Sequence, residues 1–184
     1  MAGNFTIRVA GRADLQPLVR LAVAFRDCLA QSTPSAAGFR VSIARLLEDA
    51  ETEFLLACDA AGRSLAFAQC RYRYSAWMSG LEAELEDLFV VEEARRRGVG
   101  LRLVEFAMQR ASERGCSSIG LDTNERNAAA LALYAKLGFR CDRDRWEGGR
   151  QLWLERSLEP VGLENSGGDA SANAGSAGLT RKAP

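Results

Sequence analysis

Arg95-Arg96-Arg97-Gly98-Val99-Gly100 stands between an apolar run that ends in Phe89-Val90-Val91 and an amphipathic run from Leu101 to Arg114. The first run has strand character and the second has helical periodicity, so the order is strand, glycine loop, helix. A helix entered in this way aims unpaired N–H groups and the positive end of its dipole at one point. The stretch from Arg95 to Leu101 therefore reads as a cradle for a pyrophosphate. Gly98 and Gly100 let the backbone approach such an anion closely, since a β-carbon would take up its space. Arg95, Arg96 and Arg97 add charge, with the backbone contributing more. A dinucleotide fingerprint would need a further glycine and an acidic ribose partner, and a nucleoside-triphosphate loop would need Gly-Lys-Ser/Thr. Neither occurs here.

Outward from this loop the chain alternates between strand-like and helix-like runs. Upstream, Phe5 to Ala10 reads as a strand, and Asp14 caps or opens a helix with Leu15, Leu18, Val19, Ala22 and Phe25 at helical spacing. The turn-rich stretch Gln31 to Gly38 precedes a second helix expected over Val41 to Ala50. Glu53 to Asp59 and Ser64 to Tyr74 form a hairpin around Ala60-Ala61-Gly62-Arg63, and a third strand is expected over Glu84 to Val91. Downstream, the helix places Leu101, Val104, Met108 and Ala111 on one face and stops at Gly115. A strand from Ser118 to Asp122, a helix from Ala128 to Leu137 ended by Gly138, and a hairpin of Phe139 to Arg145 with Arg150 to Ser157 complete the pattern. The sum is an α/β domain: a mixed, mostly antiparallel sheet with helices on both faces.

With 184 residues, the chain accommodates one domain, residues 1 to 159, and a tail, residues 160 to 184, whose glycine, alanine, serine and asparagine have little to bury and read as disordered. The formal net charge is zero, which gives no global field toward nucleic acid or a membrane surface. No apolar run reaches bilayer length and no signal-peptide pattern opens the chain, so a soluble protein is expected. There is no histidine, which removes Ser-His-Asp and Cys-His catalysis and His-containing zinc sites; no metal is expected. Cys28, Cys58, Cys70, Cys116 and Cys141 are scattered singly and odd in number, as expected of small buried side chains in a reducing cytoplasm.

The pattern R-x-x-G-x-G followed by Asn127-x-x-Ala-x-x-x-Tyr134-x-x-x-Gly138-Phe139 resembles the Gcn5-related N-acetyltransferase superfamily over about residues 5 to 158, most closely from Leu85 to Phe139. The resemblance implies acetyl-coenzyme A as cosubstrate and a slot between splayed strands for its pantetheine arm. It implies main-chain contacts to that arm from Leu88, Phe89 and Val90, one N–H polarising the thioester carbonyl, and phosphate contacts from Arg95, Arg96, Arg97, Gly98, Val99, Gly100 and Leu101. Asn127 would contact the coenzyme, although a helix cap explains it equally. Tyr134 would protonate the departing thiolate. The loop around Gln31 to Gly38 would border the acceptor pocket, and a homodimer is expected, with the Tyr72 to Trp77 segment as an interface.

An amine acceptor must lose a proton before it attacks, since an alkylammonium resembles lysine, with a pKa of about 10.4. In Glu82-Ala83-Glu84-Leu85-Glu86-Asp87, strand alternation puts Glu82, Glu84 and Glu86 on one side and Asp87 on the other. Glu86 could then serve as base, or belong to a solvated strand edge. Leu85-Glu86-Asp87-Leu88-Phe89-Val90, with Tyr74-Ser75-Ala76-Trp77 upstream, resembles the polyamine and diamine branch of the superfamily. That implies Glu86 as base, Asp87 as amine-binding partner and a polyamine or diamine as acceptor. An aminoglycoside-like amine or protein N-terminus, or a coenzyme-binding module without turnover, are the alternatives.

Overall fold

The computed structural model describes residues 4–141 and Arg156. Five strands, β1 (Phe5–Val9), β2 (Thr52–Asp59), β3 (Ser64–Ser75), β4 (Gly80–Val90) and β5 (Cys116–Leu121), lie in that order in one sheet. The first four pair antiparallel, and β5 runs parallel to β4. Helices α1 (Leu15–Cys28) and α2 (Ala36–Leu46) follow β1, α3 (Val99–Glu113) connects β4 to β5, and α4 (Ala128–Lys136) follows β5. The hairpin expected from Phe139 to Ser157 and the tail from residue 160 lie largely or wholly outside the described residues.

Alternation along the central strands makes two cores. Leu55 and Ala57 of β2, Ala66, Ala68, Cys70 and Tyr72 of β3, and Ala83 and Leu85 of β4 pack with Leu103, Val104, Ala107 and Ala111 of α3. Phe54, Leu56, Phe67 and Phe89 point the other way, against Leu18, Leu21 and Ala22 of α1 and Ile43 of α2. A strand buried on both faces needs a continuous apolar run, which Phe54-Leu-Leu-Ala-Cys58 supplies. Small alanines dominate the sheet face beneath α3, while phenylalanines dominate the face beneath α1 and α2. Phe25, Phe67 and Phe89 meet there with ring centroids 5.4 to 6.5 Å apart.

Several boundaries differ from the sequence reading, and the fifth strand begins at Cys116 rather than Ser118. Helix α2 begins five residues earlier than Val41, because Ser35 Oγ accepts the Gly38 N–H at 3.1 Å and caps a helix running through what reads as turn. Strand β4 starts at Gly80 rather than Glu84, with Glu82 opposite Arg73 and Glu84 opposite Arg71 extending the ladder. Helix α3 starts at Val99, so Gly100 lies inside its first turn.

Charge pins the ends of the sheet. Glu53 accepts from Arg110 at 2.7 Å, from Arg114 at 3.1 Å and from the Tyr72 hydroxyl at 2.9 Å. The Arg114 guanidinium also lies 4.1 Å from the Tyr72 ring centroid. Burial alone would raise the Glu53 pKa, but Arg110, Tyr72 and Arg114 outweigh it and hold the carboxylate below its usual range. Tyr72, expected at a dimer surface, is instead locked in the core by this contact. Asp14 opens α1 without capping it by side chain; its carboxylate grips Arg8 at 2.6 and 2.7 Å. Of the five cysteines expected to be buried, Cys70 is; Cys58 and Cys116 are half-buried, and Cys28 and Cys141 are exposed.

Candidate active site

Strands β4 and β5 part company halfway along β4. Their ladder runs from Leu81↔Cys116 to Leu85↔Leu121 and stops, while β4 continues to Val90 with β3 as its ladder partner. The strand therefore presents one backbone edge, from Glu86 to Val90, to a slot that β5 has left. The Val91 N–H donates to the Leu65 carbonyl at 3.0 Å across the β3–β4 ladder. By antiparallel alternation Phe89 also spends its backbone groups on β3, whereas Leu88 and Val90 turn theirs toward the slot. Of the three residues expected to offer main-chain contacts, Phe89 is thus misassigned: its backbone belongs to the ladder and its side chain to the core.

At the far end of the slot the chain turns through Arg96 at φ +60° and Gly98 at φ +81°. Left-handed residues interspersed in a turn gather successive N–H groups into an anion-binding concavity. The Arg102 N–H bonds to the Gly98 carbonyl at 3.0 Å, so the N–H groups of Gly98, Val99, Gly100 and Leu101 come before the helical ladder. The two glycines serve different ends. Gly98 is needed for its backbone angle, and a β-carbon on it would meet nothing within 4 Å. A β-carbon on Gly100 would meet Val90 Cγ2 at 3.5 Å and Leu133 Cδ1 at 4.0 Å, so it would point into the packing between β4 and α4 rather than across the loop mouth.

The three arginines also separate. Arg95 Nε donates to the Val90 carbonyl at 3.0 Å, Nη2 reaches Cys28 Sγ at 3.5 Å, and the guanidinium lies 6.0 Å from the Phe89 ring centroid. Arg95 accordingly ties the loop to β4 and the end of α1. Arg96 and Arg97 stand exposed beside the cradle.

A β-bulge lies between Gln69 and Cys70: Gln69 faces Asp87 and Cys70 faces Leu85, which leaves Glu86 as the extra residue. The bulge resets the alternation. Ala83 and Leu85 point toward α3 before it and Leu88 and Val90 after it, so Glu86 and Asp87 both lie on the α1/α2 side. This corrects the expectation that they occupy opposite sides. Glu86 accepts from Gln69 Nε2 and pairs with Arg71 Nε at 3.1 Å. Asp87 lines a cavity of about 200 Å³ with Gln69, Phe25, Phe39, Phe54 and Phe67. Burial, and then the charge of Glu86, push the Asp87 carboxyl above its usual pKa. Gln31, Thr33 and Pro34 from the α1–α2 connection border the same cavity, and Arg26 Nη1 holds the Pro34 carbonyl at 2.7 Å.

Asn127 caps α4, its Oδ1 accepting the Ala130 N–H at 3.2 Å. Tyr134, two turns on, is 8% exposed and sits edge-on to Phe139 at 5.7 Å. Burial raises its pKa and keeps the phenol protonated.

Against known proteins, the model of the acetyltransferase (GNAT) family matches residues 20–139, which holds the slot, the cradle, Asp87 and Tyr134. The chain belongs to the GNAT family. A D-amino-acid N-acetyltransferase of Saccharomyces cerevisiae is 33% identical over 82 residues, 45% of this chain and 51% of the relative. An aminoglycoside N(6')-acetyltransferase of Klebsiella aerogenes is 39% identical over 87 residues, 46% and 57% of the two chains. The chain thus spans about half the length of these relatives. Among solved structures, a probable acetyltransferase superposes with a TM-score of 0.75 at 28% identity, covering 84% of this chain and 99% of that one.

Within this GNAT domain, several neighbours of the expected site residues carry no local sequence signal. Gln69 and Arg71 lie on β3, and their link to Glu86 depends on strand register. The four phenylalanines of the cavity come from two helices and two strands, and each reads in sequence as plain core.

Proposed function

We propose that this chain is an acetyl-coenzyme A-dependent N-acetyltransferase that acts on a small primary amine by direct transfer. The observation that carries this is the position of Asp87: it lies in the part of β4 that β5 has left, between Glu86 and Leu88, and its side chain lines the cavity on the α1/α2 side. An acyl donor in the slot and an amine in the cavity would meet at that residue. The GNAT membership and the cradle of N–H groups from Gly98 to Leu101 support acetyl-coenzyme A as donor, its pyrophosphate at the cradle and its arm along Leu88 and Val90.

In this reading the ammonium proton passes to a carboxylate, the free amine attacks the acetyl carbonyl, the C–N bond forms and the C–S bond breaks. A Leu88 or Val90 N–H polarises the carbonyl oxygen as negative charge develops on it. The sequence points to Glu86 as base, whereas the geometry supports Asp87. Glu86 is engaged by Arg71 and Gln69, while Asp87 has a raised proton affinity and faces the cavity, as a general base requires. Tyr134, kept neutral by burial, supplies the proton for the departing thiolate. Asn127 acts through the capped end of α4, and Arg96 and Arg97 add charge at the cradle. Cys70 is unsuited to carry an acyl group, since burial pushes its thiol up to about 12.

A polyamine or diamine would call for two available carboxylates, and the engagement of Glu86 leaves Asp87. The acetyltransferase domain is taken to extend through residue 159. A cytoplasmic homodimer completes the reading, supported by exposed Tyr74 and by Trp77, 86% exposed, at the β3–β4 turn. Calorimetry with acetyl-coenzyme A and thiol release over an amine panel test the proposal together. Saturable binding with amine-dependent release and ternary-complex kinetics is the expected result. Binding without release would mark a coenzyme-binding module, and ping-pong kinetics would refute direct transfer.

A further inference from the structure

The cavity at Asp87 is polar where Asp87 and Gln69 stand, apolar along a wall of phenylalanines, and bordered by Gln31 and Thr33 at the α1–α2 connection. At the polar end Asp87 stands beside Gln69, whose Nε2 is spent on Glu86, so its amide oxygen is left as an acceptor. A carboxylate and an amide oxygen at one place suit a single –NH3+ group. The remaining surface is set by Phe25, Phe39, Phe54 and Phe67, with Leu29 at the rim. Asp87 is the one acidic side chain among the described lining residues. The cationic side chain there, Arg26, is held by Asp27 at 2.6 Å and by the Pro34 carbonyl, and it offers nothing to a second ammonium.

Size points the same way. An apolar cavity of about 150 Å³ takes a benzene ring, so about 200 Å³ admits one ring or a branched alkyl group together with a short chain ending at Asp87. A second ammonium on such a body, held against the phenyl rings, would have no second carboxylate among the described lining residues, which is costly for an ion even partly removed from water.

Resting on the acetyltransferase reading above, we propose that the acceptor is a monoamine with an apolar body, aryl or branched alkyl, and that polycationic amines are discriminated against by the phenylalanine-lined wall. The Asp87 and Gln69 end takes the ammonium, and the phenylalanines take the body. Discrimination arises because the wall stabilises a methyl or ring carbon and leaves an ammonium unpaired.

The test compares 4-methylbenzylamine with 4-(aminomethyl)benzylamine, which differ by a second ammonium in place of one hydrogen of the methyl group, alongside spermidine and an aminoglycoside. With full-length protein and saturating acetyl-coenzyme A, kcat/KM from thiol release is expected to favour the methyl compound at least tenfold. Leu29→Glu, at a half-exposed rim position, places a carboxylate on the apolar wall and is expected to shrink that ratio at least fivefold. Equal rates for the pair, or a preference for the diamine, spermidine or the aminoglycoside, would overturn this inference while leaving acetyl transfer intact. Saturable coenzyme binding with no turnover of any amine would overturn the acetyltransferase reading and this inference with it.

Discussion

Gly98→Ala separates what the glycine loop does for the fold from what it does for a ligand. Gly98 sits at φ +81° at the start of α3, and its added β-carbon would touch nothing within 4 Å. The penalty is therefore conformational and not steric, about 1–2 kcal/mol for an L-residue held in the left-handed region. The loop can escape that cost by leaving the left-handed conformation, which scatters the N–H groups of Gly98 to Leu101. An anion that needs them gathered must then restore the strained form, so the same 1–2 kcal/mol becomes a fall in acetyl-coenzyme A affinity of about 5- to 30-fold. Gly62 provides the control: it has φ +79° in the β2–β3 turn and likewise nothing within 4 Å of the added carbon. Gly62→Ala should lower Tm by about 2–4 °C for each kcal/mol and leave affinity alone. Gly98→Asn should recover most of the lost affinity, because asparagine tolerates the left-handed region better. Calorimetric titration and thermal melts of the three variants give the readout. Wild-type affinity in Gly98→Ala, or an equal loss in Gly62→Ala, would refute the assignment of the cradle.

Asp87→Asn should reduce kcat/KM by about 10²–10⁴-fold, the usual weight of a general base. Its raised folded pKa means that ionisation works against the fold, a penalty incurred as pH rises through that pKa. The asparagine variant should thus melt no lower than wild type at neutral pH, with any advantage vanishing in acid; a clear loss of Tm at neutral pH would contradict the burial of that charge. Tyr134→Phe should lower turnover toward the bottom of the same range and keep acetyl-coenzyme A affinity, since a thiol with a pKa of about 8.5 is a tolerable leaving group; unchanged kcat would remove Tyr134 from the proton path. Glu53→Gln leaves Arg110 with Glu113 alone and Arg114 with the Ala50 carbonyl, and should destabilise by no more than the low end of the about 3–5 kcal/mol typical of a broken buried pair, because both arginines keep another partner and also reach water. Glu53 has a depressed folded pKa, so its contribution is present above the unfolded value of about 4.3 and is lost as pH falls through the folded one. Denaturant titrations should show the gap to wild type closing in acid; a gap independent of pH would refute the charge argument.

Much of the fold is legible locally. The strand-like runs Glu53 to Asp59 and Ser64 to Tyr74, joined by a short glycine-containing turn, place two paired strands, and the helical spacing of Leu101, Val104, Met108 and Ala111 places the helix beyond the glycine loop, because these signals are set by a few consecutive residues. The unpaired N–H groups of the loop are legible for the same reason: Gly98, its flanking strand and its helix are contiguous, and a helix start leaves those groups free, whereas the left-handed angle at Gly98 and the packing at Gly100 come from the structure. The α2 boundary is not, since Gly38 and Pro34 carry turn signals that the Ser35 cap overrides.

What the sequence could not decide is which carboxylate faces the cavity. Glu86 and Asp87 are neighbours, and a period of two separates them unless a residue is added to one strand and not to its partner. That added residue is defined by the pairing of its neighbours with Gln69 and Cys70, far back along the chain on β3, and it alone turns both side chains to one face. The slot is tertiary for the same reason. Whether β4 and β5 stay paired past Leu85 depends on where α3 sets β5 down, a matter of packing between elements that no local pattern encodes.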